Sequence, residues 1–210
     1  LIQIPLREGL PLSYRDLTPL ACLMLEPYLL VVRASEPVET PSEFLHWVRS
    51  QPTATGGYMQ GGINHLAALA IGEASGGAVA FKQVESAQRL LPALAEQELD
   101  WAIATPTETA QTATMGNLRT VGLLSKKRSD AFPEVPTLAE AGVPLSLSVW
   151  RGLIAPKNAP PDAVKAWREL LTEIVFSPEW ASFLGSKTPV TLMFGTEFRQ
   201  LLDEQEGWYR

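Results

Sequence analysis

The run Gly56-Gly57-Tyr58-Met59-Gln60-Gly61-Gly62-Ile63-Asn64-His65-Leu66 combines two features that can hold an anion. Its glycines permit positive φ and place no Cβ between main-chain N–H groups and a visitor. Leu66, Leu69, Ala70 and Ala74 then recur at helical spacing, so the run leads into a helix N-terminus. The first N–H groups of a helix have no internal acceptor, and its dipole is positive at that end. A carboxylate suits such a turn; a tight strand-to-helix connection without a ligand uses the same residues. Neither G-x-G-x-x-G nor Gly-Lys-Ser/Thr occurs here, so phosphate nucleotides are not the favoured guest. The candidate ligand contacts are Gly61, Gly62, Ile63 and Asn64, with His65 either orienting the turn or touching the ligand.

Two further polar corners have similar chemistry. Thr105-Pro106-Thr107-Glu108 is a capping box, in which Thr105 caps a helix and can also reach a ligand directly or through water. Glu85-Ser86-Ala87-Gln88 follows a candidate strand ending at Lys82, and its hydroxyl, Ser86, is a third candidate contact. Covalent chemistry has little to build on. Cys22, the single cysteine, lies in the apolar run Leu20-Ala21-Cys22-Leu23-Met24-Leu25 and reads as a buried thiol. Two scattered histidines and one cysteine give no metal-ligand spacing, no motif pairs two carboxylates, and no cofactor is expected. An acyl-transfer enzyme on Cys22 or Ser86 is a rival reading, tested by turnover of an activated ester.

The elements that must position these groups alternate. Tyr28 to Arg33 is a continuous apolar strand of the kind buried on both faces of a parallel sheet. Thr40-Pro41-Ser42-Glu43 starts a helix with Phe44, Leu45 and Val48 on its inner face. Strands are predicted at 78–82, 99–104 and 118–124. A helix carrying Leu90, Leu91 and Leu94 lies between the first two, kinked or delayed by Pro92. The helix begun at Thr105 should run to Gly116, and a capping box at Thr137-Leu138-Ala139-Glu140 should open another. This rhythm implies βαβ units and a mostly parallel sheet, with ligands beyond the carboxyl ends of its strands. Later come an alternating run at 145–150, a long amphipathic helix from Pro161, a strand at 190–193 and a last helix from Thr196; residues 1–15 read as irregular. At 210 residues, 46% hydrophobic and with a formal charge of −6, the chain is globular and repels nucleic acid and anionic membranes. No signal peptide or spanning segment is visible, and a chain opening on Leu1 suits a processed or truncated product.

Several motifs in register resemble one family. Pro133-Glu134-Val135-Pro136-Thr137-Leu138-Ala139-Glu140-Ala141-Gly142, preceded by Lys127-Arg128-Ser129, is similar to the signature of the substrate-binding proteins of tripartite tricarboxylate transporters, the Bug receptors. Asp16-Leu17-Thr18-Pro19, Gly61-Gly62-Ile63-Asn64-His65, Gly116-Asn117-Leu118-Arg119, Trp150-Arg151-Gly152 running to Ala155-Pro156, and Ser177-Pro178-Glu179-Trp180 resemble its other landmarks in order. The resemblance implies a type II periplasmic-binding-protein-like α/β fold: two doubly wound domains joined by crossover strands that hinge shut on a small carboxylate. It implies a periplasmic receptor, not an enzyme, that hands a tricarboxylate or dicarboxylate to membrane permease subunits. A ligand-sensing regulatory domain of the same fold is the alternative.

On that template residues 1–33 and 148–210 form the first domain and 34–147 the second, with hinges near Val32-Arg33 and Val149-Trp150. Trp150 then either packs or shapes the cleft. Members usually carry about eighty further residues upstream of Leu1, so the first domain is incomplete. Its unpaired sheet edge invites a homodimer. Two departures fall at the pocket: Ile63 replaces the usual hydroxyl, and Glu85 would repel a polyanion such as citrate.

Overall fold

A computed structural model describes residues 1–111, 116–185, 188 and 191–209. The chain divides into two compact units, one of Leu1–Glu26 with Trp150–Arg210 and one of Pro27–Val149. The strands that cross between them therefore part at Glu26/Pro27 and at Val149/Trp150.

One strand, β1 (Leu17–Arg33), serves both units. Sequence reading expects an apolar run and a separate strand here; the 17 residues are continuous. Proline cannot donate to a ladder, and Pro27 stands where β1 changes partners. Before it, Ala21 and Cys22 pair with β7 (Met193–Phe194); after it, residues 28–33 pair with β4 (Trp101–Ala104) and β5 (Leu118–Leu124). Both of these pairings are antiparallel, which corrects the mostly parallel sheet expected for this strand. A strand buried on both faces reads as an unbroken apolar run in either direction, so hydropathy could not tell the two apart.

In the second unit, side-chain alternation along β1 explains the layers. Leu30 and Val32 join a cluster with Phe44, Val48 and Ile71 from α2 (Pro41–Ser50) and α3 (Ile63–Ser75). Leu29 and Val31 join Leu90, Leu91 and Leu94 of α4 (Ala87–Ala95) on the other face. Helices thus cover both sides of the sheet. Pro92 lies inside α4 rather than delaying it. Burial of Leu90, Leu91, Ala93 and Leu94 offsets the roughly 3 kcal/mol that an interior proline costs. β2 (Thr53–Gly57) and β3 (Val79–Gln83) run parallel. β2 lies beside β4: the Asp100 amide donates to the Ala54 carbonyl at 2.8 Å, and the Ala54 amide donates to Asp100 Oδ2 at 2.7 Å.

The three capping boxes form, with different outcomes. At α2 the Glu43 amide donates to Thr40 Oγ1 and the Thr40 amide to Glu43 Oε2. At Thr105 the box opens α5 (Pro106–Ala110), with Gln111 at its C-cap; residues 112–115 of the run expected to reach Gly116 lie outside the described residues. At Thr137 it opens only a 3-10 turn, Ala139–Ala141, closed by Gly142 at φ +86°. A capping box fixes where a helix starts; its length depends on downstream apolar periodicity, which both segments lack.

The first unit has a thinner core of Ile2, Tyr14, Cys22, Phe198 and Leu202, against which Trp150 packs. It contains a short helix α1 (Gln3–Glu8) where irregular chain is expected. It also holds α6 (Pro161–Val175), α7 (Pro178–Leu184) and α8 (Gly195–Tyr209). β6 (Ser148–Pro156) also pairs with β1. The expected strand at 190–193 is β7; its Val190 lies outside the described residues. On α6, Leu171 and Val175 are buried, while Trp167, Leu170 and Ile174 at i, i+3 and i+7 are exposed, as are Phe176 and Phe183. No helix among the described residues is long and apolar enough to cross a membrane.

Candidate functional site

The glycine-rich turn connects β2 to α3, and its backbone explains the residue types. Gly61 adopts φ +72°, a left-handed conformation that costs other residues strain. A Cβ on Gly57 would stand 2.6 Å from Asn64 Cβ, and one on Gly62 2.8 Å from the Met59 carbonyl oxygen. The chain therefore folds back on itself where side chains would block it.

Within the turn, the amides sort into used and open ones. The Gly61 N–H donates to His65 Nδ1 at 3.0 Å, and the Gly62 N–H to the Met59 carbonyl at 2.9 Å. The anion-binding role expected of those two amides is thus taken up internally. His65 acts as an orienting group: its Nδ1 accepts the Gly61 proton, and its ring lies 4.5 Å from that of Phe81 on β3. An accepting Nδ1 places the ring proton of a neutral imidazole on Nε2. Ile63, Asn64 and His65 supply the first three helical amides, and no side chain caps them. The Asn64 side chain is buried and donates to the Ile103 carbonyl at 3.0 Å, so it anchors α3 to β4 rather than facing outward.

These bonds also fix direction. β2 and β4 meet start to start at Ala54 and Asp100, and the residues that follow β2 meet the end of β4 through Asn64 and Ile103. β2, β3 and β4 therefore run the same way, and α3, α4 and α5 begin along one edge of the sheet. Three sequence-predicted corners, at Gly62, Ser86 and Thr105, share that edge.

The other candidates separate. Thr105 Oγ1 accepts from the Glu108 amide at 3.2 Å, and its own amide donates to Glu108 Oε2 at 2.6 Å. Its hydroxyl is therefore a cap first. Ser86 is the N-cap residue of α4, yet its half-buried hydroxyl makes no capping bond. Glu85 beside it is exposed. Trp150 belongs to the other unit, where its ring meets Phe198 edge-on at 5.1 Å. Packing, the first of its two expected roles, is the one observed.

Nucleophilic chemistry finds no support in Cys22. The thiol is fully buried, and burial pushes its pKa up to about 11, away from the thiolate form. Among the described residues, no group of three or more His, Cys, Asp and Glu side chains could hold a metal ion.

Sequence reasoning missed one arrangement. Glu26, fully buried, forms an ion pair with Arg151. Arg151 is visible within Trp-Arg-Gly, but its partner is 125 residues away, and no local pattern links the two.

A two-unit α/β architecture with helix starts gathered at one sheet edge defines a ligand-binding class of fold. A model of the tripartite tricarboxylate transporter family receptor matches residues 4–205, and the chain belongs to this family, one of receptors rather than enzymes. Protein BugT of Bordetella pertussis is 46% identical over 96 residues, covering 44% of this chain and 29% of BugT. A UPF0065 protein of Pseudomonas sp. (strain P51), from the tcbD-tcbE intergenic region, is 26% identical over 84% of this chain and 54% of its own length. The chain thus spans about half the length of that relative.

Among solved structures, a TctC solute-binding protein from Polaromonas superposes with a TM-score of 0.84 at 26% identity, over 98% of this chain and 72% of that one. MatC from Rhodopseudomonas palustris with bound malate gives 0.70 at 21% identity, over 92% and 68%. R. palustris Rpa4515 with adipate gives 0.74 at 22% identity, over 92% and 65%. The last two likenesses concern the fold.

Proposed function

We propose that this chain is the ligand-binding part of a periplasmic receptor that captures a small di- or tricarboxylate and delivers it to membrane permease subunits. The observation that carries this reading is the open start of α3, where the Ile63, Asn64 and His65 amides are uncapped at the sheet edge shared with the starts of α4 and α5. A carboxylate there meets N–H donors and a positive dipole end, and bridging water can extend the contacts to Ser86 and Thr105. The fold is shared with proteins solved with malate and with adipate, which supports the ligand class. With a formal charge of −6 the chain as a whole repels anions, so attraction must come from these local amides. Exposed Glu85, next to Ser86, favours a ligand with two carboxylates over one with three. Closure is a hinge motion of the two units on their crossing strands.

The substitution Ile63→Pro tests the amide directly. Ile63 is the first helical residue and Gly62 before it is extended, so proline fits both positions while deleting one N–H. Calorimetric titration with malate, adipate and citrate should show binding to the unaltered chain. In the variant the affinity should fall about ten-fold or more, as for a lost hydrogen bond to a charged group, while the ligand-free protein stays folded and melts somewhat lower, because Ile63 also packs against the core of its unit. Unchanged affinity in the variant would refute the role of this amide. Absence of binding for all three acids would refute the ligand class.

A further inference from the structure

We infer that the Glu26–Arg151 ion pair, its carboxylate fully buried and its guanidinium half exposed, is a clasp that fixes the pivot between the two units. Glu26 is the last residue of the first unit on β1, and Arg151 is the second residue of that unit on β6. The pair therefore joins the two crossing strands at the point where both leave the unit. Glu26 has no exposed surface; Arg151 also reaches Met24 Sδ at 3.1 Å, and Thr188 Oγ1 lies 3.5 Å from Glu26 Oε1. A carboxylate buried this deeply is costly without an ionic partner, so parting the strands at this point breaks the bond that most directly offsets its charge.

Close backbone packing reinforces the clasp next door. A Cβ on Gly152 would lie 2.3 Å from the Ala21 carbonyl oxygen and 3.0 Å from Cys22 Cα, so β6 rests directly on β1. Across the boundary, a second tie holds the same two chain segments: the Tyr28 amide donates to the Leu147 carbonyl at 3.1 Å. Between the ties lie Pro27 on one strand and residues 148–150 on the other. Pro27 brings no amide hydrogen to the ladder, and Ser148, Val149 and Trp150 are only half-buried. With the clasp intact, bending concentrates there. Without it, the strands splay into the first unit and strain passes to the Tyr28–Leu147 tie. The clasp acts whatever ligand the receptor takes.

Amide hydrogen exchange on the whole chain distinguishes a pivot from a simple stabiliser, using Arg151→Gln and the charge-free pair Glu26→Gln/Arg151→Gln. The double variant removes the lone buried charge and keeps the first unit folded if the single one does not. In a pivot, exchange at the Tyr28 amide, on the far side of the boundary, rises about ten-fold in either variant, and by more than at Cys22 and Leu202. If Cys22 and Leu202 accelerate while Tyr28 is unchanged, or if all three accelerate in step, the pair merely stabilises the first unit and the inference is overturned.

Discussion

Adding one methyl group at Gly57 should destabilise the second unit by an amount that can be worked from distances. The new Cβ would stand 2.6 Å from Asn64 Cβ, 2.9 Å from Asn64 Cγ and 3.2 Å from Phe81 Cζ. Asn64 cannot step aside cheaply, because its Nδ2 is bonded to the Ile103 carbonyl in a buried setting. Overpacking costs about 1–3 kcal/mol, and displacing the amide from its carbonyl adds about 1–3 kcal/mol for unsatisfied groups. Against this, Gly→Ala removes freedom from the unfolded chain, worth about 0.4–1 kcal/mol. The net expectation is a loss of about 2–4 kcal/mol. Urea denaturation followed by the fluorine signal of 5-fluorotryptophan at buried Trp101 reports this unit alone. With a slope of about 2 kcal/mol per molar urea, the middle of the usual range, the midpoint should fall by about 1–2 M. Gly72→Ala, in the same unit, is the control: its Cβ would meet nothing closer than 3.5 Å inside α3, so it should gain roughly 0.5–1 kcal/mol from helix propensity. Should Gly57→Ala prove as stable as the parent chain, the steric argument for this turn fails.

Three other outcomes follow from the same geometry. Thr40→Ala removes the cap of α2 and should cost about 1 kcal/mol, read as a lower urea midpoint at Trp101. The Arg128 guanidinium and the Thr137 amide hold the Glu140 carboxyl down to about 2. Because the folded value is depressed, this stabilisation is present above the unfolded value of about 4.3 and is lost as pH falls from there towards 2. Glu140→Gln should flatten that part of the acid limb in a stability–pH series and leave the remainder in place. Cys22, buried with its thiol pKa pushed up to about 11, should resist a thiol-specific disulfide reagent at pH 8 until the first unit opens. Rapid labelling of the native chain would contradict that burial.

The helix starts were the most readable part of the chain, because a capping box is a local code of two side chains and two amides. All three boxes formed, while the length of the segment opened at Thr137 was not readable. The direction of β1 was hidden for a different reason: burial on both faces erases the alternation that would show which neighbours it has. At the turn, sequence marked the right backbone but not the allocation of its amides. Only three-dimensional placement brings His65 Nδ1 to the Gly61 N–H and leaves the Ile63, Asn64 and His65 amides uncapped. Asn64 likewise could be read as a ligand group until its bond to Ile103 became visible. The Glu26–Arg151 pair lay beyond reach, since each residue taken alone is an ordinary charge in an apolar strand.

The apolar stripe of α6, with Trp167 and Leu170 each 46% exposed, together with Phe176 at 70% and Phe183 at 71%, bears on how the molecule should come apart on heating. Calorimetry of these 210 residues should resolve two endotherms in place of one. The earlier should belong to the unit with the small cluster around Tyr14 and Phe198, whose oily side chains gain less from staying folded. The later should belong to the unit whose sheet is sandwiched between helices on both sides. A single melting temperature quoted for this chain would therefore average two different quantities.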